Sequence, residues 1–228
     1  MATTLATLET KLGYHMGLTL SSTTRWTTTQ ADALLNDAMK EVVRELHAAK
    51  CWKLLRELQK EATYTLTGAT TYNVYTILGS STDYYAFLNA KLDSYKVREV
   101  TIEDEDRIQA NGEYYPTGSY PWICFYGYDS TENHGNLPVV RIRPSGSTGT
   151  LYFRYLRVPP TMGASASSCL PAECDNALIF LAASWLWSGD RNGEDSSRFY
   201  QLYQNEINRL IAKYEEPVYY DVNFQPTL

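Results

Sequence analysis

The chain has 228 residues, 44% of them hydrophobic, and a formal net charge of -6. That is enough apolar material for one sizeable packed domain or a domain with a subsidiary lobe, which excludes disorder as the dominant state. The acidic balance argues against a general nucleic-acid grip, which needs clustered Lys and Arg, yet it suits a surface past which DNA slides without sticking.

The first element spans Thr3 to Met16, where Leu5, Leu8 and Leu12 form one helical stripe and Gly17 ends it. After a Ser/Thr-rich connector, Trp26 precedes Thr27, and Gln30 three residues on completes the form of a capping box. From there one long helix is expected to reach about Leu58, since Leu34, Leu35, Ala38, Met39, Val42, Leu46, Ala49 and Trp52 hold a helical period without Pro or Gly. Beyond Lys60 the composition turns to β formers. Lys96 to Ile102 alternates as a strand that the acidic run Glu103 to Asp106 should end, and that run reads as a solvated charge cluster. Trp122 to Tyr126 is a further strand, and Val139 to Arg143 with Leu151 to Val158 are expected to form a hairpin joined by residues 144–149.

Leu170-Pro-Ala-Glu173 opens the last helical pair. Pro171 suits a first turn, Glu173 complements the helix dipole, and the helix from Cys174 to Ser188 carries Ala177, Leu178, Leu181, Ala182, Trp185 and Leu186 on a wide face. Residues 189–193 stop it, and Asp195 or Ser196 is positioned to cap a second helix bearing Phe199, Leu202, Tyr203, Ile207, Leu210, Ile211 and Tyr214. The aromatic segment from Pro217 to Leu228 then has nothing left in the chain to pack it, which suggests a binding partner. The fold class expected is α+β: a helical bundle of N- and C-terminal helices with a central inserted antiparallel β region and an extended tail. Its parts would be 1–60 and 166–216 for the bundle, 61–165 for the β insertion and 217–228 for the tail.

No phosphate loop, dinucleotide fingerprint or nucleophile elbow is present, and His15, His47 and His134 are scattered, so no enzyme, catalytic set or cofactor is expected. Cys51, Cys124, Cys169 and Cys174 are spaced unlike zinc ligands and read as reduced structural thiols. No apolar run long enough for a membrane span and no secretory leader is visible. Against 6 Phe stand 19 Tyr, which suit either half-buried strands or surfaces that become interfaces. Between His134 and Ala172 there is no acid, while Arg141, Arg143, Arg154 and Arg157 all occur. Arg141 and Arg143 share one side of a strand, and intersubunit or intrachain ion pairs are favoured there over contact with DNA.

Taken together, Trp-Thr before a long helix, Val97-Arg-Glu-Val-Thr-Ile102 in the β block, Tyr155-Leu-Arg-Val-Pro-Pro160, Leu170-Pro-Ala-Glu173 and the Phe199-Tyr-Gln-Leu-Tyr203 helix resemble the head-to-tail adaptor (connector or neck) proteins of tailed bacteriophages over nearly the whole chain. That resemblance implies a structural virion protein at the capsid–tail junction, made in the host cytoplasm. It implies a homo-oligomeric ring of about twelve copies beneath the portal protein. Double-stranded DNA would pass through its channel without sequence-specific binding, and tail proteins such as a nozzle or fibres would dock on it. The resemblance also implies that Val218, Tyr219, Tyr220, Val222 and Phe224 bind the portal. The competing reading is a carbohydrate-binding module of a tail fibre or baseplate, stacking sugars on Trp122 and Tyr126.

Overall fold

The computed structural model describes residues 2–21, 25–111, 116–129, 131, 136–163, 166–190 and 192–214, without the side chains of 108–111. In chain order the elements are β1 (Ala2–Thr4), α1 (Leu5–Met16), α2 (Thr28–Ala48), β2 (Gln59–Thr67), β3 (Thr71–Asn73), α3 (Val74–Ile77), β4 (Tyr84–Leu92), β5 (Tyr95–Val100), α4 (Ile102–Asn111), β6 (Trp122–Tyr128), β7 (Pro138–Arg143), β8 (Thr148–Arg157), β9 (Ser167–Pro171), α5 (Asp175–Gly189) and α6 (Gly193–Tyr214). They fall into two compact units, Met1–Glu57 with Pro159–Leu228, and Leu58–Val158.

In the helical unit the ends are written locally. Thr4 caps α1 by accepting from the Thr7 amide, and Gly17 closes it at φ 67, a left-handed conformation that glycine adopts without strain. The capping box of Thr27 and Gln30 is formed. Helix α2 stops at Ala48, two residues after Leu46, and the chain reverses through Lys50 at φ 56, with the Cys51 amide bonded to the Leu46 carbonyl. The expected continuation to Leu58 fails for a definite reason. Cys51, Leu54, Leu55 and Leu58 are all buried at helical spacing, so the apolar period runs unbroken through a turn that interrupts the helix. Helix α6 begins at Gly193, earlier than expected, because Asn192 accepts from the Asp195 amide and its own amide donates to the Asp195 carboxylate.

Helix α5 is the centre of this unit. Its mean character is apolar all round, with Leu178, Ile179, Leu181, Ala182, Ala183 and Leu186 buried on several faces. Its first residue, Asp175, is 2% exposed and accepts from Thr3 Oγ1 at 2.7 Å and Lys11 Nζ at 2.6 Å, which fastens β1 and α1 to it. Strand β1 pairs antiparallel with β9 just ahead of α5. A buried amide does the same for α2: Asn36 Nδ2 donates to the Met162 carbonyl at 3.2 Å and its Oδ1 accepts from the Met162 amide at 2.6 Å.

The second unit corrects the expected architecture. The class is α+β, but the β part is a seven-stranded curled sheet in the order β2-β8-β4-β5-β6-β7-β3, with its own core, and not an antiparallel insertion in a helical bundle. It is also mixed: β5 and β6 run parallel, linked through α4. The acidic run thought to end a strand is the first turn of that crossover helix, whose Asp104 amide is capped by Thr101 Oγ1 at 3.1 Å. The expected hairpin is absent as well. Strand β8 pairs with β2 and β4, while β7 pairs with β6 and β3. Alternation makes a segment a strand, but says nothing of its neighbour.

Sheet curvature follows from connectivity. The two edge strands are joined only by residues 68–70, so Thr67 and Thr71 lie within about 14 Å and the edges must turn toward each other. Side chains bridge them, since the Thr67 amide donates to Tyr72 Oη at 3.1 Å and the rings of Tyr64 and Tyr72 meet edge-on at 5.7 Å. Inside the curve lie Leu66, Ile123, Val140, Ile142, Leu151 and Phe153, with Val74 and Ile77 of α3 packed in the same cluster.

Candidate functional site

Arg141 and Arg143 sit two apart on β7 and therefore share a face, as expected. Facing them is Glu105 of α4, 1% exposed, which accepts from Arg141 Nη1 at 3.0 Å and from Arg143 Nε at 2.9 Å. The Arg141 guanidinium also lies 4.0 Å over the Tyr126 ring. Burial pushes the Glu105 carboxyl up, but the hydrogen bond from Arg143 and the charge of Arg141 outweigh it, and the net shift is downward. Beneath the same helix, burial and then the charge of Glu105 push the Cys124 thiol up to about 11, so it is held as an unreactive thiol. Arg154 of β8 donates to Glu61 of β2 at 2.5 Å across the ladder, half exposed, and Arg157 at the end of β8 has a buried Nε without a partner among the described residues.

Glu105 was the residue that sequence reasoning passed over as part of a solvated run. The signal was Thr101 with Asp104 three positions on, the form of a helix cap, which turns the run into a first turn with one inward position. Trp122, offered as a sugar platform, is 6% exposed and packed with Val100 and Cys124, and Tyr126 is covered by Arg141 on one face. Aromatic surface is instead supplied by Tyr120 and Tyr128, 74% and 78% exposed. A cleft of about 480 Å³ beside Tyr128 is lined by Tyr84, Tyr85, Phe125 and Pro138.

The helical unit carries a second concavity, about 540 Å³, walled by Trp26, Ala33, Leu34, Trp185 and Leu186, with Arg25 and Asp190 paired at its lip. Val218, Tyr219, Tyr220, Val222 and Phe224 lie outside the described residues. Among the described residues no group of three or more His, Cys, Asp or Glu is arranged to hold a metal ion, and no helix is long and apolar enough to cross a membrane. All four cysteines are buried and free.

These surfaces are ion-paired and aromatic. Residues 3–223 match the family described as SU10 adaptor protein. The chain belongs to that family. Membership makes it a phage structural adaptor, and the match spans both units. No individual curated protein matches the chain.

Proposed function

We propose that this SU10 adaptor family member is the head-to-tail adaptor of a tailed phage, forming a ring under the portal that lines the DNA channel and joins capsid to tail. One observation carries the reading: the family match runs from residue 3 to residue 223 and so takes in most of the aromatic C-terminal segment as well as both units. A coupling protein needs surfaces for identical neighbours and for different partners. Tyrosine and arginine supply such surfaces, because each combines large contact area with a polar or charged tip. The net charge of -6 keeps passing DNA from adhering.

The test is to mix the purified chain with the portal protein encoded beside it and follow mass by native mass spectrometry, using the full chain and one lacking residues 217–228. A large closed assembly formed only by the full chain, with both forms equally folded by circular dichroism, is the expected outcome. Equal portal binding by the shortened chain would remove the tail from its assigned role. The cleft beside Tyr128 gives the sugar-binding reading a place to act. A glycan array that shows binding abolished by Tyr128→Ala would favour it, whereas an adaptor gives no sugar-dependent signal.

A further inference from the structure

We infer that, in the unassembled subunit, the chain's own C-terminal segment occupies the tryptophan groove of the helical unit, so that partner binding must first displace it. The groove has the composition of a site that is covered part of the time. Trp26, Leu34, Trp185 and Leu186 form an apolar floor, and the only charges on its lining are Arg25 and Asp190 at the lip. Arg25 stands 67% exposed, so its guanidinium keeps donors to spare beyond Asp190, and it lies 5.4 Å from the Trp26 ring. Trp187, which is not part of the lining, meets Trp26 edge-on at 4.6 Å. The site therefore offers aromatic faces and a cation.

Residues 215–228 have the matching chemistry. They carry Tyr219, Tyr220 and Phe224, two prolines, and the acids Glu215, Glu216 and Asp221, with no Lys or Arg. Aromatic and proline side chains fill such floors, and the carboxylates complement the guanidinium.

Reach is sufficient. Helices α5 and α6 are antiparallel: Ser196 Oγ donates to the Ser184 carbonyl at one end, and Lys213 and Tyr214 meet Glu173 at the other. The segment thus departs beside the start of α5, while the groove lies at its end, about 21 Å away along a helix of this length. Ten extended residues span about 33 Å, so Phe224, ten positions beyond Tyr214, arrives at the groove with chain to spare. A tether of this length supplies an effective concentration of about 1 mM, so even a contact with a Kd of about 0.1 mM would be closed in about 90% of molecules. The contact itself does not depend on the portal assignment; only its release by portal does.

The experiment compares the full chain with one ending at Tyr214, in the absence of any partner. Two of the five tryptophans, Trp26 and Trp185, line the groove and a third, Trp187, packs edge-on against Trp26, so indole fluorescence reports its cover. Removal of the segment is expected to raise acrylamide quenching about twofold, and a synthetic 215–228 peptide at about 1 mM is expected to restore protection, but not in Leu34→Glu. A photo-crosslinker at Phe224 should join the Trp26 or Trp185 peptides of the same molecule at all protein concentrations. Unchanged quenching together with crosslinks elsewhere overturns the inference, as do crosslinks found only between differently labelled copies, which would make a second copy the occupant. Portal is added last. If Leu34→Glu then binds portal several-fold more tightly, displacement is the gate. If portal does not bind at all, the adaptor reading fails while the free-chain result stands.

Discussion

Each unit buries one carboxylate among the described residues' core, and the two are treated differently. In the sheet unit Glu105 lies between two guanidiniums that are themselves only 18% and 22% exposed, whereas in the helical unit Asp175 meets the ammonium of Lys11, which is 44% exposed, and a threonine hydroxyl. Both carboxylates hold distant segments together, α4 onto β7 in one case and the N-terminus onto α5 in the other. They differ in what is left behind when the acid is removed. Lysine on its long stem can turn to water, while two neighbouring arginines under a helix cannot. Burial of the partner, more than burial of the acid, therefore decides how much a residue matters.

The sharpest way to break this comparison is Glu105→Gln. It leaves two like charges side by side with one neutral amide, and a loss of about 3–5 kcal/mol in the unfolding free energy of the sheet unit is expected in urea titrations. A triple replacement of Glu105, Arg141 and Arg143 by Leu, Met and Met should recover most of that loss, because no charge is then stranded. Asp175→Asn is the matched change in the helical unit. It should cost about 1–2 kcal/mol, since Lys11 resolvates and the amide still accepts from Thr3. Equal losses at the two sites would show that the exposure of the cation does not matter.

Titration separates one carboxylate of each unit in the opposite sense. The Glu105 value is depressed in the folded protein, so its contribution is complete above the unfolded value of 4.5 and is lost as pH falls through the lower folded value. Glu9 of α1 is the reverse. A hydrogen bond with Asp32 of α2, then burial, then the charge of Asp32 raise it to about 7, so its contribution is complete below 4.5 and is lost as pH rises through about 7. Hydrogen exchange corrected for intrinsic rate should therefore show α1 amides losing protection between pH 5 and pH 8 while α4 and β7 hold theirs and weaken in acid. Glu9→Gln should flatten the α1 response. Parallel behaviour of α1 and the α4–β7 pair would contradict the opposed shifts of Glu9 and Glu105.

The same contrast explains what could be read from the sequence. The helical unit announces itself through short-range signals: Thr27 with Gln30, Gly17, Pro171 with Glu173, and leucines at helical spacing, each a matter of residues within one or two turns. Its one large misreading, the helix extended to Leu58, arose where the apolar period outlasted the helix itself. In the sheet unit most strands were legible as strands, but their order was not. Leu66 and Leu151 meet in one core although 85 positions separate them, and nothing near either names the other. Glu105 belongs to the same class, since its value depends on arginines 36 and 38 positions away. The candidate site was half visible for that reason: the arginines stood out by composition, and their partner did not.

The smallest effect tests whether the helical unit is as locally determined as this implies. Thr27→Ala removes the hydroxyl that accepts from the Gln30 amide at 3.2 Å and frees the Gln30 side chain that accepts from the Thr27 amide at 3.0 Å. A cap of this kind contributes about 1 kcal/mol, and the loss should be confined to faster exchange in the first turn of α2. Thr27→Asp should restore it, because a carboxylate accepts the same bond and complements the helix dipole. If Thr27→Ala instead loosened α5 as well, the end of α2 would be fixed by packing against the central helix, and the cap would be a consequence of the fold and not one of its causes.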